Sequence, residues 1–210
     1  DKLPQLIDEA LRQRCEPIVE LHDVRTSAEF EMLPLDEFEH QTRAYLKVQD
    51  GCNQFCSYCV IPYARGRCRS MPLEVLKQSA ADFVKNGYQE IVLCGINLGF
   101  YGMEWGGSLA DAVECCAGTE GLHRVRLGSL EPERLTEEVL SRLAALPAFC
   151  PQFHLSLQSG CDATLRRMNR HYTAAEYATV CDRLRAAFPG CTLTTDVMSC
   201  PSGTPWSISS

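Results

Sequence analysis

The chain has 210 residues, 45% of them hydrophobic, enough material for one sizeable core. No apolar run approaches a membrane span, and the opening Asp-Lys-Leu-Pro-Gln-Leu-Ile-Asp-Glu lacks the pattern of a secretory leader. The net charge of −7 argues against nucleic-acid binding by overall charge, and thirteen scattered cysteines in so long a chain do not make a disulfide scaffold, so a reducing cytoplasm is the expected compartment.

In chain order, Leu3–Gln13 reads as a short helix and Ile18–Val24 as a strand that runs into acidic, Pro-containing linker sequence. Residues 1–43 are therefore expected to be the tail of a preceding domain. Ala44–Gln49 is a short apolar-rich strand, and directly after it comes Asp-Gly-Cys-Asn-Gln-Phe-Cys-Ser-Tyr-Cys.

The spacing of Cys52, Cys56 and Cys59 places three thiolates on one short loop. Three thiolates hold three corners of a cubic iron–sulfur cluster and leave the fourth iron open to a substrate or cofactor. Zinc is the alternative. A structural zinc site takes four closed ligands, usually as paired Cys-x2-4-Cys half-sites, and no second close pair or nearby histidine accompanies this loop. The basic runs Arg65, Arg67, Arg69 and Arg166, Arg167, Arg170, His171 are each either solvated surface or local anion contacts. Cys68 lies between Arg67 and Arg69, which in sequence terms would lower its pKa, yet a spectator role is expected for it.

Helix and strand signals then alternate. Pro72 sits in the first turn of a helix that buries Leu73, Leu76, Ala80, Phe83 and Val84 and stops at Asn86-Gly87. Glu90–Cys94 is a buried strand. Ser108 and Asp111 form a capping box for a helix burying Leu109, Ala112, Val113 and Cys116. Val125–Leu127 is a strand, and Thr136 caps a helix halted by Pro147. Phe153–Leu157 is a strand, Thr173 and Glu176 box a helix that ends at Pro189-Gly190, and Cys191–Val197 is a β-branched fifth strand. Cys94, Cys116 and Cys181 fall at or near apolar positions and pack as small hydrophobes, while Cys115 and Cys116 point apart on their helix. Five such units predict an α/β sheet curving toward a barrel, with any site at the carboxyl ends of its strands.

Cys-x3-Cys-x2-Cys after a first strand, with Tyr58 before the third cysteine, resembles the radical S-adenosylmethionine enzymes. The stretch from Arg43 to Gly66 is similar to the methylthiotransferases of that superfamily. So are Gly95-Ile-Asn-Leu-Gly99 with Tyr101-Gly102, Ser129-Leu-Glu-Pro132, His154-Leu-Ser-Leu-Gln-Ser-Gly160 and Leu165-Arg-Arg-Met-Asn-Arg-His-Tyr-Thr173. Gln49-Asp50-Gly51, Pro62-Tyr63-Ala64-Arg65 and the Gly-Ile-Asn-Leu-Gly motif look most like the branch that adds a methylthio group at carbon 2 of N6-threonylcarbamoyladenosine next to the tRNA anticodon. Related branches act on isopentenyladenosine in tRNA or on a ribosomal-protein aspartate.

The resemblance implies a partial (β/α) barrel of the radical SAM type, truncated here after about five strands. It implies that Cys52, Cys56 and Cys59 ligate a 4Fe–4S cluster whose open iron chelates S-adenosylmethionine. One electron then yields a 5′-deoxyadenosyl radical that abstracts hydrogen from the target carbon, and a second S-adenosylmethionine methylates the inserted sulfur. Tyr58, Gly95, Asn97, Glu131, Gln158 and Ser159 would line the cofactor and Arg65 would meet substrate or cofactor carboxylate. The plainer readings are a strand-ending glycine for Gly95, a loop cap for Asn97, backbone-bonded rim groups for Gln158 and Ser159, and a surface arginine for Arg65.

Implied partners are tRNA, bound through domains largely missing from this chain, and an external electron donor; a monomer without membrane attachment is expected. The family carries an N-terminal domain with three more cysteines for a second 4Fe–4S cluster, but only Cys15 precedes the triad here. It also ends in a small RNA-binding β-barrel, and reads Gly-Phe-Pro-Gly-Glu-Thr where this chain has Ser199-Cys-Pro-Ser-Gly-Thr. The expected organisation is a remnant at 1–43, an incomplete core at 44–198 and a tail at 199–210 that reads as out of the native frame. A fragment of that kind is expected to bind a cluster without completing the reaction. An inactive iron–sulfur or zinc module is the rival class.

Overall fold

A computed structural model describes residues 3–12, 19, 23–24, 29–31 and 42–198. Cys15, the 199–210 tail and most of the expected Ile18–Val24 strand lie outside the described residues. The first helix is α1 (Leu3–Arg12), none of whose residues is buried.

Alternation builds the first strand, β1 (Ala44–Asp50). Ala44, Leu46 and Val48 are buried on one face, while Tyr45 and Lys47 face the other way and keep partial exposure. After the cysteine loop come a single helical turn, α2 (Ile61–Ala64), and a two-residue strand, β2 (Arg69–Ser70), paired antiparallel to β1. In α3 (Leu73–Lys85) the buried residues Leu76, Ala80 and Phe83 recur at helical spacing. Pro72 is its N-cap, with ψ 142°, and not a first-turn residue as the sequence implied.

β3 (Glu90–Gly95) pairs parallel with β1, and β4 (Arg124–Leu127) parallel with β3. Between them lies α4 (Leu109–Ala117), started by the expected Ser108–Asp111 capping box. At Gly128 the chain shifts partner. Its N–H still donates to Leu93 O at 2.9 Å, but β5 (Ser129–Leu130) pairs with β6 (Gln152–Leu155). The helix between β5 and β6 is α5 (Glu137–Ala144), capped by Thr136 through a hydrogen bond from Val139 N–H. After β6 come α6 (Asp162–Arg167) and α7 (Ala174–Ala187), the latter with the expected Thr173–Glu176 box, and finally β7 (Thr192–Thr194), parallel to β6.

The hydrogen-bonded sheets are thus β2-β1-β3-β4 and β5-β6-β7. Val125 joins them, donating to Ala148 O and accepting from Cys150 N–H. Parallel strands that neighbour one another in chain order, each joined by helix, give the curved, open (β/α) partial barrel that was expected. The last strand is shorter than the expected Cys191–Val197. Thr195 Oγ1 donates to Leu155 O at 2.6 Å and accepts from Leu157 N–H at 3.2 Å, so a side chain replaces the ladder there.

One sheet face packs on the helices: Leu46, Ile91, Leu93, Val125, Leu127, Phe153 and Leu155 meet Leu76, Phe83, Val113, Leu140, Leu143 and Leu184. Phe149, Phe153 and Phe188 form a ring cluster with centroids 5.2–5.7 Å apart. The opposite face is mostly polar, with Tyr45, Val92 and Cys94 among its side chains. There Glu90 accepts from Arg124 at 2.9 Å and from Arg126 at 2.5 Å, and His154 Nδ1 meets Thr194 Oγ1 at 3.0 Å. Among the described residues, no helix is long and apolar enough to cross a membrane.

Candidate active site

The loop carrying Cys52, Cys56 and Cys59 leaves the carboxyl end of β1, and the loops after β3, β5 and β6 leave the same end of the sheet. Backbone sterics set its entry. Gly51 has φ +68°, and a Cβ there would lie 2.0 Å from Arg67 O, because the returning chain packs directly against it. Gln49 is fully buried and bolts two strand ends together. Its Nε2 donates to the carbonyls of Asp50 and Gly51, both at 2.8 Å, and its Oε1 accepts from Asn97 N–H at 2.7 Å.

Asp50, also buried, gathers the basic residues around the loop. Arg65 donates to both its oxygens at 3.0 and 2.5 Å, Lys47 Nζ lies at 3.2 Å and Arg69 Nη2 at 3.4 Å. Burial alone would raise this carboxyl, but the bonds from Arg65 and Gly51 N–H, with the charge of Lys47, hold it down to about 2. The fork of Arg65 is therefore spent on Asp50, leaving the proposed substrate contact to compete with an existing ion pair.

Cys52 and Cys56 are buried and Cys59 is half-buried. Cys52 Sγ accepts from Gln54 N–H at 3.4 Å and faces Asn97 Nδ2 at 3.9 Å. Cys56 Sγ accepts from Arg170 Nη1 at 3.1 Å. Burial pushes the Cys52 thiol up and the neighbouring Cys56 and Cys59 push it further, while the Gln54 and Asn97 hydrogen bonds work the other way. Donors trained on sulfurs that repel one another as thiolates make a site that metal cations would complete. Among the described residues, no three His, Cys, Asp or Glu side chains converge on a position for one ion. Three thiols on one loop, with no second close cysteine pair or nearby histidine in the sequence, suit a cluster with an open iron better than a closed zinc tetrahedron.

Asn97 carries a second sign of a ligand. It is 3% exposed, and its Oδ1 has no hydrogen-bond partner. An orphaned acceptor beside Cys52 suits a bound ammonium donor, as the methionyl amino group of S-adenosylmethionine would be, so the residues present fit both the cluster and that cofactor. Gly95 closes β3 opposite Gln49; a Cβ on it would come within 2.9 Å of Gln49 Cβ and Leu98 Cδ2, so the glycine makes room for the Gln49 bolt. Tyr58 stands 40% exposed beside Cys56, its phenol pushed up to about 12 by burial against the opposing charge of Arg170.

Glu131 follows β5 and forms an ion pair with Arg170. Burial pushes its carboxyl up and Arg170 opposes the shift. Gln158 adopts φ +65° and its backbone bonds Asp196 O and Met198 N–H. Ser159 is buried, with its Oγ accepting from Cys161 N–H at 3.2 Å, the backbone-bonded rim role weighed above.

Sequence reasoning missed the turn that holds the cysteine loop. Ser57 N–H donates to Met168 O at 3.0 Å, Ser57 Oγ to Arg167 O at 2.9 Å, and Asn169 Nδ2 to Phe55 O at 2.9 Å. Phe55 and Asn169 both have positive φ, 51° and 56°, strain of a kind that gathers at functional sites. Arg170, read as a member of a basic run, is buried here with Tyr172. The available signal was the aromatic two residues beyond it. Cys68 corrects another expectation. Its thiol is buried and pushed up to about 12, chiefly by that burial, because Arg69 turns its Nη1 to Arg65 O and Arg67 O instead.

The family model described as the radical SAM superfamily matches residues 46–200. The threonylcarbamoyladenosine tRNA methylthiotransferase MtaB of Thermotoga maritima is 44% identical over 162 residues, 77% of this chain and 37% of that protein. The tRNA-2-methylthio-N(6)-dimethylallyladenosine synthase of Clostridium tetani is 33% identical over 199 residues, 94% of this chain and 43% of that protein. The chain thus spans about two fifths of the length of the curated relatives it matches. Among solved structures, the radical S-adenosylmethionine methyltransferase TsrM of Kitasatospora setae superposes with a TM-score of 0.60 over 73% of this chain and 30% of its own, at 16% identity, a likeness of fold. A match that runs from β1 through β7, on a sheet of this topology with its cysteine triad at the strand ends, makes this chain a member of the radical SAM superfamily.

Proposed function

We propose that this chain is the S-adenosylmethionine-cleaving core of a tRNA methylthiotransferase that places a methylthio group on carbon 2 of N6-threonylcarbamoyladenosine. The observation that carries the reading is the donor set: two cysteine sulfurs already faced by N–H groups, with Asn97, whose Oδ1 is orphaned, beside Cys52. The choice of base follows a small margin of identity, 38–44% to relatives named for threonylcarbamoyladenosine against 33–37% to relatives named for dimethylallyladenosine.

Cys52, Cys56 and Cys59 would hold three irons of a 4Fe–4S cluster, and Asn97 Oδ1 would accept a hydrogen bond from the methionyl amino group. Tyr58, with its partly exposed ring, and Glu131, Gln158 and Ser159, with polar groups, would line the rest of the cofactor. Arg65, released from Asp50, would reach a carboxylate of the substrate. Held by the three cysteines, a cluster would supply the one-electron chemistry that S-adenosylmethionine cleavage requires, and this chain's residues would bind and orient the two groups. The polar inner face of the sheet, with Arg126 and His154, offers the substrate hydrogen-bonding groups where a packed barrel would offer none.

The test is anaerobic reconstitution with iron and sulfide, reduction, and mass-spectrometric assay of 5′-deoxyadenosine. The expected result is product from the wild-type chain and at least a hundredfold less from Cys56→Ala. A reconstituted chain without visible cluster absorbance would overturn the reading. Nucleosides of tRNA from cells with and without the gene identify the base. Loss of the methylthio group from threonylcarbamoyladenosine is expected, and loss only from isopentenyladenosine, or from a ribosomal-protein aspartate, would reassign the target.

A further inference from the structure

We propose that Arg170 is a positioning residue that couples the cluster ligand Cys56 to the rim carboxylate Glu131 and raises the reduction potential of the cluster. The inference rests on the cluster reading above and adds a residue to it.

Arg170 stands out from its own run. Arg166, Arg167 and His171 are exposed, whereas the Arg170 side chain is 2% exposed. Its planar fork is fully committed. Nη1 donates to Cys56 Sγ at 3.1 Å, Nε to Tyr172 Oη at 3.2 Å, and Nη2 to the Glu131 carboxylate. Tyr172 braces the group from behind, with its ring 5.0 Å from the guanidinium and its hydroxyl directed at Ser156 O and Leu157 O at the end of β6. The adjoining turn is fastened to the cysteine loop at Ser57 and Phe55, so the guanidinium cannot drift from the sulfur without breaking backbone contacts as well.

A buried arginine paired with one carboxylate has a sufficient structural explanation in that pair alone. The N–H directed at a ligand sulfur goes beyond it. Reduction adds negative charge to a cluster and its thiolates, and a cationic donor on one thiolate favours the reduced form. Lysine keeps the charge but cannot serve three partners from a fixed plane. Glu131 tempers the charge and fixes its direction, so the same arginine links the metal ligand to the rim where the cofactor is placed.

The 210-residue chain is reconstituted anaerobically and titrated with dithionite in the presence of mediators, with the reduced cluster read by electron paramagnetic resonance. At the wild-type midpoint potential, Arg170→Gln is expected to lower the reduced-to-oxidised ratio about tenfold, a downward shift of about 59 mV for a one-electron couple. Arg170→Lys is expected to lower the ratio by a smaller factor. Circular dichroism and iron content establish that each variant is folded and loaded. Loaded variants that titrate at the wild-type potential overturn the inference and leave the cluster reading standing. Should Arg170→Gln fail to load, Arg170→Lys decides: a wild-type potential overturns the inference and a lowered one supports it. A wild-type chain that takes up no cluster overturns the site reading, and this inference with it.

Discussion

A methyl group at Gly51 would press on the carbonyl oxygen of Arg67 from 2.0 Å, in a backbone conformation at φ +68° that L residues rarely adopt. Both penalties fall on the residue that starts the cysteine loop. Gly51→Ala is therefore expected to cost about 3 kcal/mol or more and to impair iron uptake, as read from urea midpoints and iron content after reconstitution. Gly87 is the control, since it has φ +93° and open space around it; alanine there should cost only about 1 kcal/mol. Thiol reactivity is a second test at this scale. Cys161 is exposed and its thiol is lowered by hydrogen bonds from the Thr164 backbone and side chain, whereas burial pushes Cys68 up to about 12. Iodoacetamide at neutral pH should label Cys161 rapidly and leave Cys68 unmodified until the protein unfolds, as peptide mass spectrometry would show. The flanking arginines of Cys68 point to the opposite result, because sequence adjacency reveals nothing of where a long side chain turns.

Between elements, Arg142 of α5 clamps the start and body of α4. Its Nε and Nη2 reach Glu114 at 2.8 and 2.6 Å, Nη2 reaches Asp111 at 2.5 Å, and Nη1 reaches Ser108 Oγ at 3.2 Å. Burial would raise Asp111, but Arg142 and Ser108 outweigh it and its carboxyl lies below the ordinary range. A carboxyl depressed by folding contributes its full stability above the unfolded value of about 3.9 and loses it as pH falls through the folded value. Arg142→Met should therefore cost about 1 kcal/mol at pH 7, and urea melts of variant and wild type should converge as pH falls through the depressed folded value of Asp111. The helices that carry such contacts were legible in the sequence, since α3, α4, α5 and α7 each combine a 3.6-residue apolar period with a stop or capping signal. β2 and β5 were not, because two residues hold no period. Nor was the partner change at Gly128, which a hydrogen-bond ladder decides and a hydropathy pattern does not.

For the molecule as a whole, the two faces of the curved sheet divide the labour. The outer face carries the stability: Phe153, fully buried among Phe149, Phe188 and the helices, should cost about 3–5 kcal/mol as Phe153→Ala in a denaturant titration. The inner face and the strand ends carry the polar groups. The cysteine triad was legible because its three members sit within eight consecutive residues. Arg170 was not, because the sulfur it meets is 114 positions away and its neighbours in sequence are exposed.

That separation has a consequence during synthesis. The three thiols leave the ribosome well before the turn that fastens their loop, since Ser57 and Arg167 are 110 positions apart. At about 5–20 residues per second, the nascent chain exposes unsupported cysteines for roughly 5–20 s. The loop therefore reaches its fastened form only after the turn at Arg167 has been made, so its three thiols are preorganised late in synthesis.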